Sequence, residues 1–154
     1  MHNGRMADPL LSLDDFMPFR LSIVSNAVSD AIASTYHALF GLRIAEWRLV
    51  AVIAESDGLS QQALGARTRM DKVTVSRAAI ALAERGLIAR RANPDDQRSH
   101  LLSLTPAGRA LYEQVAPKAL EMESRIFAGL GAADLAHFRA VLDRVEVAAG
   151  GLQG

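Results

Sequence analysis

Apolar and polar residues alternate along this chain with helical periods almost throughout. From Leu21 the apolar and small positions Leu21, Val24, Val28, Ala31, Thr35 and Leu39 recur at steps of three and four until Gly41. Such a narrow stripe predicts a helix that packs against a partner helix. Phe16, Phe19, Tyr36, His37 and Phe40 lie partly off the stripe and form a second contact surface. Ser12, with Asp15 three residues on, predicts a start at Leu13, although Pro18 requires a kink or a restart near Met17. A second helix is predicted over Ile44–Glu55, with Glu46 in its first turn, Asp57-Gly58 closing it, and Arg43 a poor cap. A short third helix follows Ser60, with Leu59 and Leu64 placed to close a hydrophobic staple.

The fourth helix is the most sharply bounded. Asp71 is its N-cap, Gly86 its C′ residue, and Val75, Ala78, Ala79 and Leu82 its inward stripe, so it runs from about Lys72 to Arg85. Two strands are predicted next, Leu87–Arg91 and His100–Leu104, separated by a segment dense in turn formers from Ala92 to Ser99. Thr105-Pro106 then caps a long helix whose apolar residues Leu111, Val115, Leu120, Ile126 and Phe127 continue past Pro117, where a kink is expected. Gly129-Leu130-Gly131 breaks the chain, and a last helix over about Ala133–Val147 carries Leu135, Phe138, Val141, Leu142 and Val145.

Helix, tight turn over Thr68–Met70, and a second helix with a polar N-terminus make a helix-turn-helix, and the hairpin behind it makes a wing. The fold class is therefore mainly α with a small β-hairpin wing: a winged helix-turn-helix with flanking dimerisation helices. The outward face of the fourth helix carries Lys72, Val73, Thr74, Ser76 and Arg77. Those side chains suit base edges and phosphates: arginine to guanine, hydroxyls to phosphate or base, an apolar group to a thymine methyl. Arg90, Arg91 and Arg98 decorate the wing, and a basic tip suits the narrow, negative minor groove.

The block D-K-V-T-V-S-R from Asp71, then E-R-G-L-I from Glu84, D-x-R at Asp96-Gln97-Arg98 and L-T-P-A-G from Leu104 resembles the MarR family of bacterial winged helix-turn-helix regulators, and the likeness runs from about Leu13 to Val145. The resemblance implies that Val73, Thr74, Ser76 and Arg77 face bases and phosphates, that Ser60 and Gln61 touch the backbone, and that Arg98 is the wing finger with Asp96 as its brace. Asp95 is the alternative brace, and Val73 departs from the small polar residue expected at its place. The resemblance also implies a homodimer in which the first helix and the last two interdigitate. Its domains would be an N-terminal extension (1–12), dimerisation helices (13–41 and 106–149) and a DNA-binding lobe (42–105). A two-fold protein implies a pseudo-palindromic operator with half-sites about 34–36 Å apart.

Composition changes this picture in three ways. The chain has 154 residues and no formal net charge, yet Leu59–Thr105 carries eight basic and four acidic residues, a net +4 offset by −4 elsewhere. Segregation of this kind is the electrostatic footprint of a polyanion partner, the alternative being a chance fluctuation. Cysteine is absent, which excludes disulfides, iron-sulfur clusters and a thiol-based sensor. Met1–Leu11 is short and carries Asp8 and Pro9, and no apolar run approaches the ~20 residues of a span, so a cytoplasmic protein is expected. Met6 is as good a start as Met1, which makes Met1–Arg5 a possible start-site artefact.

An enzyme is not expected. His2, His37, His100 and His137 form no metal-ligand spacing, and no Walker, G-x-S-x-G or dinucleotide-binding motif is present. Neither cofactor nor metal is called for. The functional expectation is a sequence-specific transcriptional regulator, a repressor released by a small aromatic or acidic ligand. The alternative is a constitutive winged-helix architectural or protein-interaction module without an effector. In the resembled family the effector pocket lies between the dimer helices and the DNA-binding lobe, and Arg20, His37, Trp47 and Arg48 are the candidates for its lining. For Trp47 and Arg48 the competing reading is a core tryptophan and an arginine bridged to an acidic neighbour.

Overall fold

The computed structural model describes residues 8–153, so His2, Met6 and the rest of the segment before Asp8 lie outside the described residues. A single 3-10 turn, Leu13–Asp15, precedes α1 (Met17–Phe40), α2 (Ile44–Ala54), α3 (Gln61–Thr68), α4 (Lys72–Glu84), β1 (Ile88–Ala92), β2 (His100–Leu104), α5 (Pro106–Ile126) and α6 (Ala132–Gly151). The predicted winged helix-turn-helix order is therefore the observed one. Two compact units are present, one reaching to Ala116 and the other beginning at Pro117.

Of the two ways round Pro18, the chain takes the restart. The Ser12 side chain makes no capping bond, and Phe16 is extended (φ −76°, ψ 112°). A proline in the first turn of α1 forfeits no hydrogen bond, whereas in a helix continued from Leu13 it would break one and clash with the turn before it. Gly41 closes α1 in the left-handed region (φ 62°), its N–H donating to the His37 carbonyl at 3.0 Å. Of α1 only Tyr36 is buried; Leu21, Val24 and Leu39 of the apolar pattern are exposed in the single chain, as is Ile23 beside them.

The cap of α2 explains Arg43. Position 43 contributes its backbone N–H, which donates to the Glu46 carboxylate at 3.0 Å, so the capping group comes from three residues inside the helix. This is why Glu46 is buried although charged.

The core of the first unit is the helical triangle behind α4. Leu42, Leu49, Val50, Ile53, Leu64, Val75, Leu82 and Leu102 are wholly or almost wholly buried. All four positions of the predicted α4 stripe are buried. Its end is a Schellman turn: the Leu87 N–H reaches the Leu82 carbonyl and the Gly86 N–H the Ala83 carbonyl, both at 3.0 Å, with Gly86 at φ 72°. Leu82 and Leu87 are both buried at this turn, and the chain leaves it directly into β1.

The wing pairs antiparallel, Ile88 opposite Leu104 and Ala92 opposite His100. A two-stranded hairpin is marginal alone. Here β2 gains a second neighbour: Leu59 exchanges both backbone bonds with Leu102, at 3.0 and 2.8 Å, forming a one-residue bridge.

Thr105 fastens wing to α5. Its hydroxyl donates to the Gly86 carbonyl at 2.6 Å and accepts from the Gly108 N–H at 3.0 Å. The first turn of α5 rests on the wing backbone so closely that a Cβ at Gly108 would stand 2.0 Å from the Leu87 carbonyl oxygen. That contact is the reason for a glycine in L-T-P-A-G. The helix continues unbroken in residue range through Pro117.

In the second unit Phe127 and Phe138 meet with ring centroids 6.4 Å apart. Phe138, Leu142, Val145 and Val147 of α6 are exposed, and none of its residues is buried. Among the described residues no helix is long and apolar enough to cross a membrane.

Candidate nucleic-acid interface

The outward face of α4 is aimed by its cap. Asp71 accepts from the Thr74 N–H and from the Thr74 hydroxyl, each at 2.8 Å. The backbone bond first, and the hydroxyl bond next, hold the Asp71 carboxyl below the usual carboxylate range. The Thr74 hydroxyl proton is thus committed to the cap, and only its lone pairs face outward. Because Val75, Ala78, Ala79 and Leu82 are turned inward, Lys72, Val73 and Arg77 are exposed, while Thr74 and Ser76 are half-buried. Ile80 also stands on this face, 47% exposed. It escaped the sequence reading, although its place seven residues after Val73 puts both on one helix side.

The helix before it is positioned by Ser60, whose hydroxyl accepts from the Ala63 N–H at 3.1 Å. The turn between α3 and α4 passes through Arg69 in the left-handed region (φ 59°), and Thr68 donates to the Leu64 carbonyl at 2.6 Å. Gln61 and Lys72 then line one groove between the two helices, with Gln62 and Val75.

At the wing, Ser60, Gln61, Arg90, Asp96, Arg98 and His100 surround one concavity of about 430 Å³. Asn93 shapes the tip, its side chain donating to the Ser99 hydroxyl at 2.9 Å and accepting from the Asp95 N–H at 3.0 Å. Asp96 accepts from the Arg98 N–H at 2.9 Å, which shapes the backbone at position 98. Arg98 is exposed.

Arg91 departs from its expected place. Its Nη2 donates to the Asp57 carbonyl at 3.2 Å, folding the side chain back over the connection between α2 and α3. Neighbouring strand residues point to opposite faces, so Arg90 and Arg91 are not on one surface. Period-two reasoning applied to β1 would have separated them.

The four ligand candidates do not converge within one chain. Arg20 and His37 are 17 positions apart on the continuous helix α1, which at 1.5 Å per residue is about 25 Å. His37 lines a cleft with Arg43, Arg77 and Arg85. Trp47 is half-buried between two tyrosines, 5.6 Å from the Tyr36 ring and stacked at 6.0 Å and 17° on Tyr112. Neither tyrosine was a candidate, because the contact joins residues distant in sequence. Burial pushes the Tyr36 hydroxyl pKa up. Arg48 is exposed, and among the described residues it has no acidic partner, contrary to the expected bridge: it lies on the solvent side of α2. Among the described residues no group of three histidine, aspartate or glutamate side chains is placed to hold a metal.

A helix-turn-helix with a capped, outward second helix and a basic wing beside it defines a winged-helix DNA-binding protein. Residues 40–99 match the MarR family. A MarR-family transcriptional regulator from Silicibacter pomeroyi is 30% identical, with 87% of this chain and 90% of that one covered and a TM-score of 0.71. A probable transcriptional regulator from Pseudomonas aeruginosa is 33% identical over 87% of this chain and 99% of that one, with a TM-score of 0.73. A putative transcriptional regulatory protein for the hcr operon of Thauera aromatica is 27% identical over 94% of this chain and 90% of its own length. The chain belongs to the MarR family, whose members are DNA-binding transcriptional regulators and not enzymes.

Proposed function

We propose that this regulator is a cytoplasmic homodimeric repressor that leaves a pseudo-palindromic operator when a small aromatic or acidic molecule binds. The observation that carries the DNA reading is the exposed face of α4, with Lys72, Val73, Ser76 and Arg77, standing beside a concavity that gathers Ser60, Gln61, Arg90, Asp96 and Arg98. Phosphate contacts from these groups supply salt-dependent affinity, and Arg77 and Val73 supply base preference.

Dimerisation is supported by apolar surface that the single chain leaves exposed: Phe16, Met17, Leu21, Ile23 and Val24 near the start of α1, and Phe138, Leu142 and Val145 on α6. Residues 13–41 and 106–149 serve as the dimerisation helices and 42–105 as the DNA-binding lobe.

For the effector, the ligands of two proteins that share the fold support a small aromatic or acidic molecule. In Bordetella bronchiseptica BpsR, DNA binding is regulated by 6-hydroxynicotinic acid, and Rhodococcus jostii CouR is bound to p-coumaroyl-CoA. Trp47, held against Tyr36 and Tyr112, offers an aromatic wall, and Arg48, next to it on α2, a charge for a carboxylate. Arg20 and His37 stand farther off along α1. Release requires the ligand to favour the dimer geometry that does not match DNA, and a coupling of ~1–3 kcal/mol gives a 5- to 150-fold effect.

Operator selection from random DNA with the purified protein tests the reading. A two-fold symmetric sequence with half-sites about one helical turn apart is expected, together with a dimer by sedimentation. Calorimetry with small aromatic acids on wild type and Arg48→Ala tests the effector. No enriched sequence removes the operator reading; no heat from any acid removes the ligand.

A further inference from the structure

The cleft lined by His37 is separate from the concavity at the wing. It lies between the C-terminal end of α1, the N-terminal end of α2 and one flank of α4, with a volume of about 560 Å³. Its charged lining is Arg43, Arg77, Arg85 and Glu46, beside Thr74. These side chains are not equally free. Glu46 is buried and faces the Arg43 amide, at 3.0 Å. Arg85 donates to the carbonyls of Phe40 and Gly41, both at 3.2 Å, so it closes the end of α1 and fixes the cleft wall. Arg43 and Arg77 are exposed residues whose guanidinium groups, among the described residues, have no hydrogen bond or ion pair.

We infer that this cleft seats a backbone phosphate of the operator, with Arg43 as its principal contact, on the flank of the recognition helix opposite the wing. The inference rests on the DNA reading above. A helix lying in the ~12 Å major groove has a phosphate wall on each side. One flank of α4, with Lys72 and Val75, borders α3 and leads toward the wing; Thr74, Arg77, Ala78 and Ala81 border this cleft instead. Arg77 therefore stands at the boundary between base-facing surface and cleft. The lining also argues against a small aromatic acid as occupant. It holds no phenylalanine, tyrosine or tryptophan to stack on a benzene ring, and its apolar surface comes from Gly41 and the alanines 45, 78 and 81. A phosphodiester needs positive charge and an open approach, and the cleft supplies both.

The test uses the operator selected with wild-type protein, titrated between 50 and 200 mM salt. Loss of one phosphate contact reduces the slope of log K against log salt by ~0.9, so the affinity gap between wild type and Arg43→Gln narrows about 3.5-fold over that range. Arg43→Lys, which keeps the charge, is expected to restore the wild-type slope and guards against a folding defect. Operators carrying one neutral methylphosphonate at a time locate the contact. One position on the side away from the wing should weaken wild type and Arg43→Lys and leave Arg43→Gln unaffected. An Arg43→Gln slope and methylphosphonate profile equal to those of wild type overturn the inference while leaving the DNA reading intact. Wild type that selects no operator overturns both. Benzoate binding abolished by Arg43→Gln, with operator affinity unchanged, overturns it in favour of a small-anion site.

Discussion

Replacing Gly108 by alanine examines the junction on which the wing depends. The added Cβ would lie 2.0 Å from the Leu87 carbonyl oxygen, 3.0 Å from its carbon and 3.3 Å from the Leu104 side chain. The first two are backbone atoms of the segment entering β1, so no rotamer change relieves the clash, and a displacement of about 1 Å must be shared between the wing and α5. Forcing a methyl group into a packed site costs ~1–3 kcal/mol, and a rigid backbone neighbour puts this case at the upper end. Alanine recovers ~1 kcal/mol over glycine inside a helix. The net loss is about 2 kcal/mol, which for a chain of this size lowers the melting temperature by roughly 4–8 °C. Thermal denaturation followed by circular dichroism measures it, with Gly129→Ala as the control, since nothing lies within 4 Å of a Cβ there. If Gly108→Ala melts with wild type, α5 does not rest on the Leu87 carbonyl and the account of the junction is wrong.

Three further outcomes follow from the interface. Asp71 has a depressed pKa in the folded protein, so its cap contributes stability above the unfolded value of ~3.9 and loses it as pH falls through the lower folded value. Asp71→Ala should therefore melt below wild type at pH 7, and the gap should narrow as the pH falls below the unfolded value; a gap that does not narrow in acid contradicts the cap. Arg98→Ala is expected to reduce the salt slope of operator binding by about one contact, whereas Arg77→Ala should also relax base preference by ~1–3 kcal/mol at one position. Gel shifts with both variants identical to the parent would refute the groove assignments. Arg91→Ala should leave the salt slope unchanged, because its guanidinium is bonded to the Asp57 carbonyl; a lost contact there would show that the side chain swings out on DNA.

Local signals carried most of the fold. Asp71 and Gly86 bound α4 because each solves a local problem, an orphan amide at one end and a left-handed residue at the other. The inward stripe of α4 and the turn formers of the wing are likewise short-range. What failed to show in the sequence depends on distance or on choice between equals. The bridge between Leu59 and Leu102 is made of backbone groups, which every residue carries. The cap of α2 comes from Glu46, so inspection of Arg43 alone misjudges it. Trp47 meets Tyr112 across sixty-five positions of chain, and no periodicity reports that. The interface residues were legible as types, hydroxyl, amide and guanidinium, but the direction of a long side chain such as Arg91 is settled by whichever acceptor lies within reach. The effector candidates were chosen on charge and ring type, although the helix predicted from near Met17 to Gly41 already set Arg20 and His37 at its opposite ends.

The one-residue bridge at Leu59 has a consequence for solubility. Leu59 covers the middle of β2 at Leu102 and β1 covers its other side, whereas among the described residues nothing pairs with the outer edge of β1. A bare margin of unpaired amides and carbonyls invites another chain to add itself as a further strand. The middle of that margin carries Arg90, and like charges on approaching copies repel before hydrogen bonds can form, while Arg91 beside it is bonded to the Asp57 carbonyl. The same arginine that decorates the hairpin thus keeps concentrated protein from zipping together, and exchanging Arg90 for valine would remove that protection without touching the core.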